Sequence, residues 1–214
     1  MTPEQIESLS ATQIGAIPCT ALKGMTATQC AVLTATQLAA FSTSQVPYLS
    51  VEATAALDES QLATLSTTQF ASFSTAQIKS LQPAQLASLP QTLITALTSG
   101  QCAALNTSQI CQLTPTQIGQ MTFTQLSGLT STLVSAMTET QFAALTETQI
   151  NLLTANQFSG LTSTDISEIS ASDSSLAVTT LFTPSSFSTR APDAPVTAIR
   201  VLAWMGSSGK ASRI

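Results

Sequence analysis

The side chains that could carry chemistry are few in this 214-residue chain. Histidine, the commonest acid/base group and metal ligand in proteins, is absent from the sequence. Serine and threonine hydroxyls are abundant, but no base accompanies them, so nucleophilic catalysis lacks its second member. The sequence therefore predicts that the protein is not an enzyme, with no catalytic residue, no cofactor site and no metal site.

Four cysteines are the remaining candidates for metal or redox chemistry: Cys19, Cys30, Cys102 and Cys111. None belongs to a Cys-x-x-Cys motif, and without histidine or a close ligand pair they do not predict a metal site. Cys30 and Cys102 stand where isoleucine or leucine stands elsewhere in the chain, which indicates small buried hydrophobic residues. Disulfides that join Cys19 to Cys30 and Cys102 to Cys111 are the alternative.

The acidic residues make no stronger catalytic case. Asp58-Glu59, Glu139 and Glu147 all fall at predicted helix N-termini, where negative charge is favourable. Glu139 and Glu147 are eight residues apart and are expected on one outer, solvated face. A weak cation site or partner site is the alternative for this pair.

Charge and hydropathy exclude several classes of partner. The chain has six basic and eleven acidic residues, and the basic ones are scattered, so no patch could neutralise a nucleic-acid backbone. No stretch approaches the roughly 20 apolar residues of a transmembrane segment. Met1 is followed by neither a basic nor an apolar region, so no signal peptide is expected in this chain.

These side chains are all positioned by an eight-residue repeat. Twenty-two octads follow one another without insertion from Met1 to Leu176. Position 1 is Leu, Met, Ile or Phe in all 22, position 2 is Ser or Thr in 17, position 5 is Gln in 16 and position 6 is apolar in 20. The consensus is apolar-Thr-x-x-Gln-apolar-x-x, as in Leu33 to Ala40.

Each octad has the pattern of a helix start. A Ser or Thr followed three residues later by Gln is a capping box, and apolar residues at positions 1 and 6 form a hydrophobic staple around it. Pro3, Pro83 and Pro115 stand at position 3, the first helical position, where proline is tolerated. Pro47, at position 7, is expected to end its helix early. The sequence predicts one very short capped helix per octad.

Two other arrangements compete with this one. A continuous helix would drift by about 80° per octad and leave no fixed apolar face. A β-solenoid needs inward residues of one parity, which positions 1 and 6 do not share. Thr-x-Thr pairs nevertheless keep a β-solenoid open as the alternative: Thr34/Thr36, Thr114/Thr116, Thr122/Thr124, Thr138/Thr140 and Thr146/Thr148.

A single octad cannot fold alone. Its two large apolar side chains contribute roughly 1.5–3 kcal/mol each, while ordering eight backbone residues costs about 8–16 kcal/mol. The octads are therefore expected to stack into an all-α solenoid in which each unit contacts only its neighbours. Six octads lack Gln at position 5. The first five of these positions (Ala21, Ala53, Leu93, Leu133, Asp165) follow one another at intervals averaging 36 residues, which a superhelical turn of four to five octads or an ancestral duplication would explain, and Asp173 in the last octad is the sixth.

The last part of the chain departs from the repeat. Residues 177–214 begin with a Ser/Thr/Pro-rich stretch, predicted to be a linker, and carry a net charge of +3 against −8 for residues 1–176. This tail is expected to be poorly ordered. No polar capping unit precedes Met1, which is typical of a fragment of a longer array.

Leu113 to Ile118 resembles the helix start of plant-pathogen TAL effector repeats, but the resemblance ends with that helix, since the period here is eight. Residues 1–176 are more similar to Leu-Thr-x-x-Gln-Ile-x-x octapeptide arrays of large microbial surface and secreted proteins, as in Leu145 to Ile150. That resemblance implies a spacer or adhesive segment outside the cell, with other proteins or surface components as partners. An ice- or surface-binding β-solenoid that uses the Thr-x-Thr hydroxyls is the alternative function.

Overall fold

The computed structural model describes residues 1–159, so octads 21 and 22 and the predicted linker and tail lie outside the described residues. The predicted all-α class is confirmed, because the described part of the chain contains short helices and no strand. The elements, in order, are α1 Pro3–Glu7, α2 Ala11–Gly15, α3 Cys19–Leu22, α4 Ala27–Ala31, α5 Ala35–Ala39, the 3₁₀ helix Val46–Tyr48, α6 Val51–Ala55, α7 Glu59–Ala63, α8 Thr67–Ala71, α9 Thr75–Ser80, α10 Pro83–Ser88, α11 Gln91–Ile94, α12 Ser99–Ala104, α13 Thr107–Gln112, α14 Pro115–Gly119, α15 Phe123–Gly128, α16 Ser131–Ser135, α17 Glu139–Ala143, α18 Glu147–Asn151 and α19 Ala155–Phe158.

Each α-helix begins at position 3 of an octad because position 2 is an extended N-cap. Thr34, for example, has φ −77° and ψ 160°, and its hydroxyl accepts a hydrogen bond from the Gln37 N–H. The helix then ends within its own octad, since the next N-cap is extended again. No residue of the described chain other than glycine has a positive φ, and no glycine has one either, so the chain turns without left-handed residues.

The prolines of the described residues lie at the start of their octads, with one exception. Pro3, Pro83 and Pro115 are the first residues of α1, α10 and α14, as predicted. The prediction for Pro47 was inaccurate, because its octad forms no α-helix to be shortened. A turn and the 3₁₀ helix replace it there, since Pro47 lacks the N–H that would close an α-helical bond to Thr43.

The helices stack on partners three octads away along the chain. In one column α1 packs on α4, α4 on α6, α6 on α9, α9 on α12 and α12 on α15. The other extensive helix contacts, such as α10 with α13 and α14 with α17, have the same spacing. One superhelical turn therefore comprises three octads, or about 24 residues, and the solenoid has three columns of helices.

This spacing corrects two predictions. Contacts are not confined to adjacent octads, because a helix of five residues has too small a face to stabilise itself against its neighbour alone. A turn of four to five octads is also wrong. The 36-residue interval between octads that lack Gln is about one and a half turns, so the superhelix does not explain it.

The core is a single continuous cluster made mostly of the side chains at positions 1 and 6. Phe70 at position 6 and Phe73 at position 1 of the next octad, for instance, pack edge to face with ring centroids 5.4 Å apart. Thr54 is the polar exception at position 6 and is fully buried. Its hydroxyl donates to the Ser50 carbonyl and accepts from the Gln77 side chain, so burial leaves it satisfied.

The β-solenoid alternative is wrong for the described residues, which contain no strand. The Thr-x-Thr pairs lie instead at the N-cap and second position of helices. Thr138 Oγ1 and Thr140 Oγ1, for example, are 3.0 Å apart and bond to each other at the start of α17. Such a pair is a local capping arrangement and forms no flat ladder of hydroxyls.

Small residues let successive turns approach closely. A Cβ added to Gly119 would lie 2.4 Å from the carbonyl oxygen of Ala144, and one added to Gly128 would lie 2.4 Å from that of Ser99. Both contacts join helices of adjacent turns in the same column. Backbone-to-backbone packing of this kind requires glycine at these two positions, because any Cβ would meet the backbone of the neighbouring turn.

Candidate functional site

The most distinctive set of side chains is the series of glutamines at position 5. Within its own octad, each of these glutamines except Gln45, whose octad forms no α-helix, completes the helix N-terminus. Gln109 Oε1 accepts from the Asn106 backbone N–H at 2.9 Å, and Asn106 Oδ1 accepts from the Gln109 N–H at 2.9 Å. The reciprocal pair satisfies two N–H groups that the helix itself leaves free.

The amide nitrogen of the same side chain points to the preceding turn. Gln109 Nε2 donates to the carbonyl oxygens of Ile78 at 2.9 Å, Lys79 at 3.3 Å and Leu81 at 2.8 Å. These carbonyls belong to the end of α9 and the residue after it, where helical oxygens lack helical partners. One side chain thus caps the start of its own helix and the end of a helix in the turn below.

This arrangement recurs along the whole described array. The acceptors lie 28, 30 or 31 residues before the glutamine, at positions 1, 7 and 6 of earlier octads. Inter-turn bonds are made by Gln29, Gln37, Gln45, Gln61, Gln69, Gln77, Gln85, Gln101, Gln109, Gln117, Gln125, Gln141, Gln149 and Gln157. We call this series the glutamine ladder.

Burial increases the contribution of the glutamine ladder to the stability of the fold. Most of its side chains are buried, and Gln109 is 0% exposed. A satisfied hydrogen bond contributes about 1 kcal/mol, whereas a buried amide without a partner costs about 1–3 kcal/mol. The ladder therefore stabilises the stacking of turns and penalises any stacking in which glutamines and helix ends do not meet.

The octads without Gln interrupt the ladder in different ways. Leu93 and Leu133 are buried and apolar, so they add to the core where an amide would stand. Ala53 is also buried, and its octad carries Thr54, which accepts from Gln77 as described above. Asp165 and Asp173 lie outside the described residues.

Sequence reasoning identified the capping role of these glutamines but missed the bonds between turns. A capping box accepts either Glu or Gln at its third helical residue. Position 5 is Gln in 16 octads and Glu in none. The absence of Glu from position 5 was the feature of the sequence that indicated these bonds, because only Gln carries the N–H groups that reach the preceding turn.

The cysteines are not brought together. Cys30 and Cys102 are buried as predicted, and burial raises the pKa of each thiol to about 12. Cys19 is half-buried and Cys111 exposed, and all four are free thiols, so the alternative of disulfides between neighbouring octads is not realised. Cys111 Sγ lies 2.9 Å from the Ala136 carbonyl oxygen, in the next turn of the solenoid.

The acidic residues lie at the helix N-termini predicted for them. Asp58 is the N-cap of α7, where the Ser60 hydroxyl and the Gln61 N–H both donate to Oδ1 and lower the pKa of the carboxyl. Glu139 and Glu147 begin α17 and α18 and are exposed. Among residues 1–159, no three His, Cys, Asp or Glu side chains are grouped as metal ligands.

The outer surface is mostly neutral. Residues 80–138, more than two turns, contain no charged residue, and Phe123 is 52% exposed at the first position of α15. A depression of about 390 Å³ is lined by hydroxyl and methyl groups of Thr67, Thr68, Ala71, Thr92, Thr95 and Ala96. No helix of residues 1–159 has the length and apolar character needed to cross a bilayer.

A family model matches part of the chain. The family model described as ALTTAQ repeat matches residues 54–90, a segment that spans α7 to α10 and lies within the glutamine ladder. No curated protein and no solved structure matches the chain. Residues 54–90 are therefore similar to the ALTTAQ repeat, and the chain is a repeat-containing protein built as a helical solenoid.

Proposed function

We propose that the chain is a non-enzymatic structural spacer whose length is set by its number of octads. The glutamine ladder is the observation that carries this proposal. It joins each turn to the one before it with the same bonds, so an added turn finds the same partners. A spacer needs this property, because its length can then change while its cross-section stays constant.

Insertion of whole turns tests the proposal. Residues 97–120 comprise three octads, so duplicating them once or twice adds one or two turns. Helix layers pack roughly 8–10 Å apart, so each insertion should lengthen the particle by about that distance. Small-angle X-ray scattering should show a longer maximum dimension and an unchanged cross-sectional radius. A wider cross-section at constant length would refute the spacer.

A second candidate is a protein-interaction or adhesive surface, favoured by exposed Phe123 in the uncharged residues 80–138. Exposed large apolar side chains on a neutral surface are typical of interaction sites. Phe123→Ser should then reduce retention on a hydrophobic-interaction column, while Tyr48→Ser, at an exposed aromatic residue beside Lys23, serves as the control. Equal retention of wild type and Phe123→Ser would argue against this surface. The surface or secreted setting rests on the resemblance of the octads to microbial surface arrays.

A further inference from the structure

Helix α11 lacks the two sets of bonds that a glutamine at position 5 supplies elsewhere. Its octad has Leu93 at position 5 and Pro90 at the N-cap. In the glutamine ladder the acceptors lie 28, 30 and 31 residues earlier, which for this octad are the carbonyls of Leu65, Ala63 and Leu62, and Leu93 has no donor for them. Pro90 offers neither an N–H group nor a side-chain acceptor. A capping box and a bond to the turn below are therefore both missing from α11.

The two turns also leave an open seam at α11. The depression of about 390 Å³ lies between α11 and α8, the helix on which α11 stacks. Its walls are small side chains with only hydroxyl and methyl groups: Thr67, Thr68 and Ala71 on α8, and Thr92, Thr95 and Ala96 on α11. At Gly119, by contrast, the turns approach so closely that no Cβ fits between them. The outer part of the α8–α11 seam is thus the less tightly packed of these two contacts.

The same helix carries a polar group that its burial leaves unsatisfied. Within residues 1–159, Gln91 Nε2 is the one buried side-chain nitrogen or oxygen without a hydrogen-bond partner. A buried amide donor without a partner is destabilising, because folding has removed it from water and given it no acceptor. Local opening of α11 would return this amide to water. The closed position of α11 is therefore less stable than that of a helix whose buried polar groups are paired.

Two other described octads that lack Gln differ from this one. Ala53 and Leu133 also stand at position 5, but each belongs to a helix with a side-chain cap. The Ser50 hydroxyl accepts from the Ala53 N–H at 3.0 Å, and the Thr130 hydroxyl accepts from the Leu133 N–H at 3.3 Å. Of these three interruptions of the ladder, only the one at α11 combines a missing glutamine with a missing cap.

The neighbouring helices of the same turn are firmly bonded. Residues 81–104 form one turn, with α10, α11 and α12 in its three columns. Gln85 Nε2 on α10 donates to the Ala55 carbonyl at 3.2 Å, and Gln101 Nε2 on α12 donates to the Phe73 carbonyl at 2.7 Å. Two corners of this turn are thus joined to the turn below, and the third is not. Opening at the third corner would tilt the turn about the two bonded corners, in one direction.

We propose that α11 is a joint at which the solenoid opens locally and bends in one direction, while the turns on both sides stay folded. Segments with few buried contacts and unsatisfied polar groups open at a lower free energy than the rest of a protein. In α11 the missing bonds, the open seam and the unpaired amide of Gln91 all favour such opening. The joint goes beyond the proposed spacer role, since a straight spacer of constant cross-section requires none.

Hydrogen exchange of the 214-residue chain tests the opening. The N–H groups of Ile94 and Thr95 bond within α11, and that of Cys102 bonds to the Thr98 carbonyl at the start of α12. We expect the α11 amides to exchange roughly tenfold or more faster than those of α10 and α12, which belong to the same turn. Equal exchange in the three helices would overturn the proposal, because the turn would then open as a whole or not at all.

Repair of the octad tests the cause. The variant Pro90→Thr/Leu93→Gln gives octad 12 the consensus cap and the consensus glutamine, so exchange in α11 should slow to the rate of α12. Gln91→Thr copies the residue at the same position of α8 and removes the unpaired amide, so it should slow exchange by itself. The matched control is Leu133→Gln, which adds a glutamine to an octad that already has its cap and should leave α11 unchanged. Exchange in α11 that neither repair slows would refute the assigned cause.

Distances between spin labels test the bending. Cysteines are introduced at Thr68 and Thr92, on α8 and α11, in a chain whose two accessible cysteines are replaced by serine. The matched pair is Thr116 and Thr140, which are exposed at the same octad position on the stacked helices α14 and α17. The first pair should give a broader distribution that extends to longer distances, and the repair at Pro90 and Leu93 should narrow it. Equally narrow distributions for both pairs in the unrepaired chain would exclude a joint at α11.

Discussion

Gln109 Nε2 lies 2.8 Å from the carbonyl oxygen of Leu81, which precedes it by 28 residues and belongs to the turn below. The same amide also donates to the carbonyl oxygens of Ile78 and Lys79, so it caps the end of α9. Because Gln109 also caps its own helix, a change at this side chain affects local structure and stacking together. Variants can separate these two contributions.

Replacing Gln109 with Glu should destabilise the protein strongly, whereas Gln13→Glu should not. Glutamate retains the capping oxygen in both cases. At Gln109 it removes the inter-turn donors and places a buried negative charge against carbonyl oxygens, at a cost of about 2–5 kcal/mol. Gln13 has no inter-turn acceptor, so its change should stay within about 0.5 kcal/mol. Urea unfolding measures both, and equal losses would mean that the ladder adds nothing to stability.

The stability contributed by Asp58 should disappear at low pH. Hydrogen bonds from Ser60 and the Gln61 N–H lower the pKa of Asp58 in the folded state. The contribution is therefore present above the unfolded pKa, about 4, and is lost as the pH falls through the folded pKa. Asp58→Asn keeps a good N-cap that does not titrate. Between pH 6 and pH 3 the urea midpoint of wild type should fall further than that of Asp58→Asn, and parallel falls would contradict this assignment.

Alkylation should distinguish Cys102 from Cys111. Burial raises the pKa of Cys102 from 9.0 to about 12, which reduces its reactive thiolate roughly a thousandfold. Cys111 is exposed and serves as the internal control. With iodoacetamide at pH 8, mass spectrometry should find Cys111 modified first and Cys102 modified only after urea is added. Modification of Cys102 in the native protein at its unfolded rate would show that the site is open.

Alanine should have opposite effects at two helical glycines. Gly100 has no neighbour within 4 Å of an added Cβ, so Gly100→Ala should stabilise the protein by about 0.5–1 kcal/mol through helix propensity. Gly119→Ala gains the same propensity but places its Cβ 2.4 Å from the Ala144 carbonyl oxygen, so the turns must separate. We expect a net loss of about 1–3 kcal/mol for Gly119→Ala. Thermal unfolding that ranks the two variants alike would disprove close packing between these turns.

Deleting one octad should be tolerated better than deleting half of one. Removing Leu65 to Ser72 keeps every later helix three octads above a partner, and only three stacked pairs change partners. Removing Leu65 to Thr68 puts Gln69 where an inward leucine stands and Phe70 where a capping Ser stands, at about 1–3 kcal/mol each. Calorimetry should therefore show the lower melting temperature for the four-residue deletion. If it melts no lower, the octad is not a structural unit.

Much of the local structure could be predicted from the sequence. The helix starts, the proline positions and the buried positions 1 and 6 follow from contacts within one octad, and such contacts leave a direct trace in the repeat. Thr34 and Gln37, for example, lie three residues apart, and the side chain of each accepts a hydrogen bond from the backbone N–H of the other. Cys102 was recognised as buried because it replaces a leucine or isoleucine at position 6.

The number of octads in a turn could not be predicted in this way. It depends on the angle between successive helices, which no residue type of the consensus specifies. An eight-residue consensus predicts stacking on the adjacent octad, because it contains no residue that identifies a more distant partner. Gln37 and Leu9 contact each other across 28 residues, so neither the window of one octad nor that of two contains both partners.

The three-octad turn also determines how the molecule responds to a pulling force. Tension on the two ends acts on the terminal turns first, because each turn is held to the body of the solenoid by one set of glutamine bonds and one layer of core. Turns should therefore detach one after another, each with a similar rupture force. About 24 residues are released per event, a gain in contour length of roughly 70–80 Å. Under tension the solenoid should therefore extend in small steps of equal length, while the turns that have not yet detached stay folded.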